Sequence, residues 1–253
     1  MIAPVIPTTA YIVAVMFVAT LIRSTFGFGE ALIAVPLVAL RAPVTVAAPL
    51  AVLLSIVVAA VIVVRDWRHV DVRSASGLFV PSLVGIPVGL ALLVNVNDHV
   101  VKVALGAVII AFAAWALTAG RDRQLRGGHQ VWLISCGLLA GVLGGAYGMN
   151  GPPLVVYGAL RRWSPQRFRA TLQGYFLPAS IAGAIGYASI GLLNDTVTRD
   201  FLWSLPAVGV AIVAGRSINA RIDSDRFLRL VYAGLLLIGA VLIGQAIGAP
   251  PSI

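Results

Sequence analysis

Two glycine-rich stretches interrupt apolar segments of this sequence, and their residues are of types that could bind an anion. The first covers residues 24–37 and the second covers residues 144–157. Glycines let the backbone leave a helix and approach a ligand closely. A helix that starts just after such a turn presents unpaired backbone N–H groups and a partial positive charge. Because this end of a helix attracts anions without a charged side chain, the stretches predict two halves of one anion-binding site.

Polar side chains beside both turns would complete that site. We expect substrate contacts from Arg23, Ser24, Thr25, Gly27 and Gly29 at the first turn, from Gly148, Asn150 and Gly151 at the second, and from Gln173 and Tyr175 in the following span. The alternative is that the glycines only allow close helix packing, as small residues do in membranes. Thr171, Gln173 and Tyr175 also leave two interpretations open, since they could face a cavity or bond a neighbouring helix.

Arg23 and Glu30 are two charged residues that fall in no predicted loop. A charge at the centre of a bilayer costs about 2.5–3.5 kcal/mol on insertion scales, so it usually has a partner or a functional role. Three interpretations remain open: a structural pair that holds the turn, a substrate anion bound to Arg23, or protonation of Glu30 as a coupling step. Glu30 would also compete with an anion at the start of the helix that it begins.

The elements that position these residues are predicted to be membrane helices. The chain has 253 residues, of which 60% are hydrophobic and 11% are charged, and its mean hydropathy is +0.99. Apolar runs near 20 residues recur, which is typical of a polytopic all-α membrane protein and not of a β-barrel. We attribute the net charge of +9 to basic loops that set membrane orientation, so no nucleic-acid partner is expected. The first nine residues contain no basic region, so we expect no cleaved signal peptide.

Each half of the chain is predicted to form one re-entrant helical hairpin and three transmembrane helices. About 11 residues follow each turn before the next break, or about 16 Å of helix, which is near half of a hydrocarbon core. The N-terminal repeat, residues 1–122, has its hairpin at 8–41, and the C-terminal repeat, residues 123–253, has its hairpin at 131–161. Full spans are expected near residues 44–64, 74–94, 99–119, 165–190, 200–215 and 226–247. Counting each hairpin once gives about eight membrane helices, and because three is odd the second repeat is inverted.

Basic residues predict how the chain is oriented. Four linkers, residues 65–73, 121–126, 161–169 and 216–229, contain 14 of the 18 Lys and Arg residues: Arg65, Arg68, Arg73, Arg121, Arg123, Arg126, Arg161, Arg162, Arg167, Arg169, Arg216, Arg221, Arg226 and Arg229. The positive-inside rule puts these linkers in the cytoplasm and both termini outside it. We expect a multi-pass protein of a prokaryotic-type plasma (inner) membrane.

With these residues in view, the sequence resembles the TauE/SafE family, whose members are often labelled sulfite exporters. The resemblance rests on residues 27–37 and 148–157, on Phe168-Arg169-Ala170-Thr171-Leu172, and on Arg68-His69-Val70-Asp71. It implies export of sulfite or of organosulfonates such as sulfoacetate. The chain departs from the family pattern by having Glu30 at the first turn and Met149-Asn150 at the second, and both differences would alter a binding pocket.

These observations predict a secondary transporter, and more specifically an exporter, of a small anion such as sulfite or an organosulfonate. The anion would lie mid-membrane between two half-helix N-termini, and alternating access would move one repeat against the other. The alternatives are an anion channel and a proton-coupled transporter of small carboxylates, with a proton or cation as coupling partner through Glu30. No cofactor, metal site or enzyme activity is expected, because Glu30 is the only acid clearly inside the membrane and Cys136 is the single cysteine. The sequence does not specify an oligomeric state.

Overall fold

The computed structural model describes residues 8–118, 129–219 and 224–248. These residues form ten α-helices and one 3₁₀ turn at Trp67–His69. The helices are α1 Thr8–Phe26, α2 Glu30–Ala39, α3 Val44–Asp66, α4 Val72–Asn95, α5 Asp98–Thr118, α6 His129–Tyr147, α7 Gly151–Leu160, α8 Pro165–Ser189, α9 Asp195–Asn219 and α10 Ser224–Gly248. The described part of the chain contains no strand, so the predicted all-α fold is confirmed.

Seven of the described helices are long and apolar enough to cross a membrane, namely α1, α3, α4, α5, α6, α9 and α10. Helices α2 and α7 are apolar but have only 10 residues each. Helix α8 has 25 residues and was expected to be a full span, yet it is not among the seven. Its first half contains Arg167, Arg169 and Gln173, which lower its hydropathy. Since Gln173 and Ser180 are buried, part of this polarity is directed at other helices instead of lipid.

Helix α9 is longer than the predicted span at residues 200–215. It begins at Asp195 because the Asn194 side chain accepts a hydrogen bond from the Val197 N–H at 3.0 Å, which satisfies a free donor of the first turn. Asp200 therefore lies inside the helix, where it is only 2% exposed. Asp200 is thus, like Glu30, a buried acid within a described helix.

Both glycine stretches end a helix in the way that the sequence predicts. Gly27 and Gly29 have φ values of 87° and 99°, and Gly148 has a φ of 65°, a left-handed region that favours glycine. After the first turn the chain reverses direction. This is seen from a 2.7 Å hydrogen bond that the Tyr11 hydroxyl, near the start of α1, donates to the Leu37 carbonyl, near the end of α2. Helix α7 packs back on α6 after the second turn.

Each glycine turn follows a helix that packs mainly on the other half of the chain. Helix α6 lies along α4, and α1 lies along α9. Gly137, Gly141 and Gly145 recur every four residues on the face of α6 that meets α4, and a Cβ at any of them would overlap the α4 backbone. Small residues allow such close contact between membrane helices. Helix α3 packs on α8, and α5 packs on α10.

A hydrogen-bonded contact joins the linker before α4 to the start of α8. The Asp71 carboxylate accepts hydrogen bonds from the Ser74 N–H and hydroxyl, at 3.2 and 2.8 Å, and from the Arg167 guanidinium. The backbone N–H of Asp71 donates to the Thr171 hydroxyl at 3.1 Å. Partial burial alone would raise the pKa of Asp71, but the hydrogen bonds from Arg167 and Ser74 outweigh it and hold the pKa below its ordinary value.

We expect Asp71→Ala to lower the free energy of unfolding by about 1–2 kcal/mol, through loss of the α4 cap and of a half-exposed ion pair. Because the folded-state pKa of Asp71 is lowered, its contribution is present at neutral pH and is lost as the pH falls through that value. Thermal unfolding of the detergent-solubilised protein at pH 7 measures the effect. Asp98→Ala is the control, since the exposed Asp98–Lys102 pair should contribute under about 0.5 kcal/mol. Equal losses in both variants would contradict this role of Asp71.

Candidate functional site

The two glycine turns meet at one cavity half-way along the central helices. Gly29 and Glu30 line it from the first turn, and residues 148–152 line it from the second. Ser55, in the middle of α3, and Phe176, in the middle of α8, complete its wall. The cavity has an empty volume of about 360 Å³, including space open to its surroundings. The cavity therefore lies between residues of both halves of the chain.

Arg23 is buried beside this cavity and is held by three hydrogen-bonded partners. Its Nη1 donates to the Glu30 carboxylate and to the Ser55 hydroxyl, the latter at 2.8 Å. Its Nη2 donates to the Gln173 side-chain oxygen at 2.7 Å. The guanidinium also lies 5.0 Å from the centre of the Phe176 ring, within the range of a cation–π contact. Arg23 is 3% exposed, and its Nε has no hydrogen-bond partner among the described residues.

Glu30 begins α2 and is buried together with Arg23. One carboxylate oxygen accepts a 2.8 Å hydrogen bond from the Thr20 hydroxyl, and the other accepts from Arg23. A carboxylate in the first turn of a helix is also stabilised by the partial positive charge of that helix end. The structural pair that the sequence left open as one interpretation is therefore present. Both of its members line the cavity, so the pair and a ligand-binding role are compatible.

Gln173 connects α8 to the first turn and does not line the cavity. Its amide nitrogen donates a 2.6 Å hydrogen bond to the Gly27 carbonyl, while its oxygen accepts from Arg23. With both ends engaged, this side chain positions the guanidinium against the turn. Gly27 itself packs on Arg169, since a Cβ there would lie 2.6 Å from the Arg169 side chain.

Five of the ten predicted substrate-binding residues line the cavity, and five do not. Those that line it are Arg23, Gly29, Gly148, Asn150 and Gly151, together with the proposed coupling residue Glu30. Those that do not are Ser24, Thr25, Gly27, Gln173 and Tyr175. The Thr25 hydroxyl donates to the Leu21 carbonyl at 2.8 Å, and Ser24 packs on Gly215 of α9. Tyr175 is fully buried between the rings of Phe79 and Phe176.

The two helix starts at the cavity offer different numbers of backbone donors. Helix α2 has N–H groups on its first three residues, and its first intrahelical hydrogen bond runs from the Ile33 N–H to the Gly29 carbonyl at 3.1 Å. Helix α7 begins Gly151-Pro152-Pro153, and prolines have no N–H. The second turn therefore contributes the Gly151 N–H and the Asn150 amide, which makes no capping hydrogen bond to α7. A Cβ at Gly151 would meet no atom within 4 Å.

Sequence reasoning missed several residues around Arg23 and the cavity, among them three that carry hydrogen bonds or ring contacts. Ser55 and Phe176 line the cavity, and Ser180 donates a 3.0 Å hydrogen bond to the Ser55 hydroxyl. A lone serine in the middle of the apolar span at residues 44–64 was the one available signal. No group of three or more His, Cys, Asp or Glu side chains that could hold a metal ion occurs in the described part of the chain.

Comparisons with known proteins found sequences similar to this chain. The family model described as "Sulfite exporter TauE/SafE" matches residues 12–243. A protein of Cupriavidus necator named "Probable sulfite/organosulfonate exporter TauE" is 26% identical to this chain over 227 residues, which are 88% of each chain. No solved structure matches the chain.

Proposed function

The chain belongs to the sulfite exporter TauE/SafE family, a family of membrane exporters and not of enzymes, and from this premise we propose that it is a secondary transporter that exports a small anion such as sulfite or an organosulfonate. The name of the Cupriavidus necator relative suggests this class of substrate. The observation that carries the proposal is the meeting of both glycine turns at one cavity that also contains Arg23. A cation, a helix start and a glycine-rich turn are the features that bind anions inside proteins.

In this proposal the anion lies between the two turns. Arg23 supplies charge, the first turn of α2 and the Gly151 N–H supply backbone donors, and Asn150 supplies an amide. Gly29 and Gly148 let the backbone approach the anion because they have no side chain. The remaining predicted residues do not contact the anion in this proposal, namely Ser24, Thr25, Gly27, Gln173 and Tyr175. Among them, Gln173 holds the Arg23 guanidinium in place.

We further propose that residues 1–122 and 123–253 are inverted repeats, each with one re-entrant hairpin. The pairing of helices supports this arrangement: α1 packs on α9 of the second half, and the equivalent helix α6 packs on α4 of the first. The short helices α2 and α7 hold equivalent places in the two halves and have 10 residues each. Alternating access would then expose the cavity first to one side of the membrane and afterwards to the other.

The proposed location is a prokaryotic-type plasma membrane with both termini outside the cytoplasm. The Asp71–Arg167 contact brings the basic linkers 65–73 and 161–169 together, which supports placing them on one side. Near the opposite helix ends, the Thr9 hydroxyl donates to Asp200 at 3.0 Å, and a His99 ring nitrogen lies 2.9 Å from the Ala246 carbonyl. The linker at residues 121–126 and Arg221 lie outside the described residues.

Ligand-induced stabilisation of the purified protein tests this function. The panel holds sulfite, sulfate, thiosulfate, sulfoacetate, taurine and small carboxylates, because a ligand at 100 times its Kd stabilises the folded state by about 2.7 kcal/mol. We expect a shift with sulfite or a sulfonate in the wild type, and none in Gly151→Leu, whose side chain would fill the cavity. Gly209→Leu is the matched control, because Gly209 is also open but lies on the exposed face of α9. A shift with carboxylates alone would favour the carboxylate transporter, and an unchanged shift in Gly151→Leu would remove the site from between the turns.

A further inference from the structure

The Glu30 carboxylate occupies a hydrogen-bond donor of Arg23 that a transported anion would need. Its carboxylate lines the cavity, lies at the start of α2 and accepts a hydrogen bond from Arg23 Nη1. We propose that Glu30 is a built-in competitor of the transported anion, so that each bound anion requires Glu30 to take up one proton. This inference rests on the proposed function and specifies the substrate as a monovalent anion.

The hydrogen bonds of Arg23 do not allow the Glu30 carboxylate and a substrate anion to bind its guanidinium fully at the same time. Nη1 is shared between Glu30 and Ser55, and Nη2 donates to the Gln173 oxygen and, at 3.5 Å, to the Ser55 carbonyl. The Nε is the guanidinium nitrogen without a partner in the described part of the chain. A substrate anion gains a second donor only where the Glu30 carboxylate releases Nη1. The two carboxylate oxygens of Glu30 then keep one neutral partner, the Thr20 hydroxyl.

Replacement of the Glu30 carboxylate by the substrate anion on Arg23 should be accompanied by proton uptake, because a buried unpaired charge is costly. Breaking a buried ion pair by removing one partner leaves an uncompensated charge and is strongly unfavourable. A proton from the aqueous side that admits the anion neutralises the released carboxylate, and it leaves with the anion on the other side. Before exchange the cluster holds Arg23⁺ and Glu30⁻. After exchange it holds Arg23⁺, the anion and neutral Glu30.

The charge of the site therefore stays at zero in both states when the anion is monovalent. A divalent anion would leave one uncompensated negative charge in the middle of the membrane, which is costly. The exchange thus favours a sulfonate or another monovalent anion, and it predicts that anion and proton move together without net charge.

No second charged side chain contacts Glu30 in the described part of the chain. Helices α1, α3, α5 and α10 pack on α2. Their charged or titratable residues are Tyr11 and Arg23 on α1, Arg65 and Asp66 at the end of α3, Asp98, His99 and Lys102 at the start of α5, and Asp225, Arg226, Arg229 and Tyr232 on α10. Tyr11 bonds Leu37, Asp98 pairs with Lys102 at 2.9 Å, and the side chains of residues 224–230 lie outside the described set. On α8, Arg167 contacts Asp71, and Arg169 donates to the Ser24 carbonyl at 3.3 Å.

Calorimetric titration with methanesulfonate tests the inference, because this monovalent anion keeps its charge throughout the pH range used. Titrations in buffers with different ionisation enthalpies count the protons taken up for each bound anion. For the wild type we expect about one proton for each anion, and a Kd that rises about tenfold per pH unit over the range in which one full proton is taken up. For Glu30→Gln we expect no proton uptake and a Kd that changes less than about twofold over the same range.

Two further variants separate this effect from a structural one. Asp98→Asn makes the same acid-to-amide change at an exposed pair and should retain both the proton uptake and the pH dependence. Thr20→Val keeps the Glu30 carboxylate but removes the hydroxyl that donates to it, so a carboxylate released by Arg23 would have no hydrogen-bond partner and binding should extend to higher pH. This second variant remains informative where Glu30→Gln does not fold.

The outcomes distinguish this inference from the proposed function. Methanesulfonate binding without proton uptake by the wild type, or with full uptake by Glu30→Gln, would overturn the competitor role and leave the anion site intact. An unshifted pH profile in Thr20→Val would overturn it as well. Failure of the wild type to bind either methanesulfonate or sulfite at any pH would instead overturn the proposed function.

Discussion

Replacing Arg23 with alanine is expected to lower the free energy of unfolding by about 3–5 kcal/mol and to abolish anion binding. The loss of stability follows from the Glu30 carboxylate, which would stay buried without its cation. The loss of binding follows because Arg23 is the charged donor that lines the cavity. Chemical unfolding of the purified protein measures the first effect, and ligand-induced stabilisation by sulfite measures the second.

A double variant separates these two consequences. Arg23→Met with Glu30→Leu removes both charges and fills their space with apolar atoms, and such replacements of buried ion pairs are often neutral for stability. We therefore expect the double variant to recover most of the stability lost in Arg23→Ala and to remain unable to bind sulfite. A double variant as unstable as the single one, or one that binds sulfite normally, would contradict the role assigned to this pair.

Gly141→Leu is expected to prevent correct folding. A Cβ at Gly141 would overlap the Ser82 backbone of α4, and backbone atoms cannot move aside as the end of a flexible side chain can. Helices α4 and α6 would have to separate, which would also displace the second glycine turn that follows α6. Since overpacking by a few methylenes already costs about 1–3 kcal/mol, the cost of a backbone overlap should exceed that range.

Size-exclusion chromatography of detergent-solubilised protein provides the measurement for Gly141→Leu. We expect little monodisperse protein from this variant and an intermediate yield from Gly141→Ala. Gly209→Leu is the control, because nothing lies within 4 Å of a Cβ at that position. Wild-type yield and stability for Gly141→Leu would show that α4 and α6 do not pack as closely as described.

The sequence was sufficient to locate the helices and the turns. Apolar runs of membrane length predict helices, and the left-handed φ values of Gly27, Gly29 and Gly148 explain why glycine interrupts them. The sequence could not show that α1 and α6 would pack on helices of the opposite half, because that depends on contacts between residues far apart in the chain. It also overestimated the apolar character of α8, whose polar residues are partly directed at other helices.

The candidate site was only half predictable for a related reason. A position beside a glycine turn identifies Arg23, Glu30 and Gly151, but it does not say which neighbours point into the cavity. Gln173 was expected to contact substrate, yet both ends of its side chain are engaged by Arg23 and Gly27. Ser55 gave little signal, because a single serine in an apolar span does not show which way it faces.

Counterflow in proteoliposomes tests most directly whether the cavity between the two turns is the site of a carrier. Vesicles are preloaded with excess unlabelled sulfite, or in parallel methanesulfonate, and diluted into the same labelled anion. The wild type and Gly209→Leu should accumulate label transiently above its equilibrium level, whereas Gly151→Leu should match protein-free vesicles. Accumulation by Gly151→Leu at the wild-type rate would contradict the site, and rapid equilibration without accumulation in the wild type would identify a channel instead of a carrier.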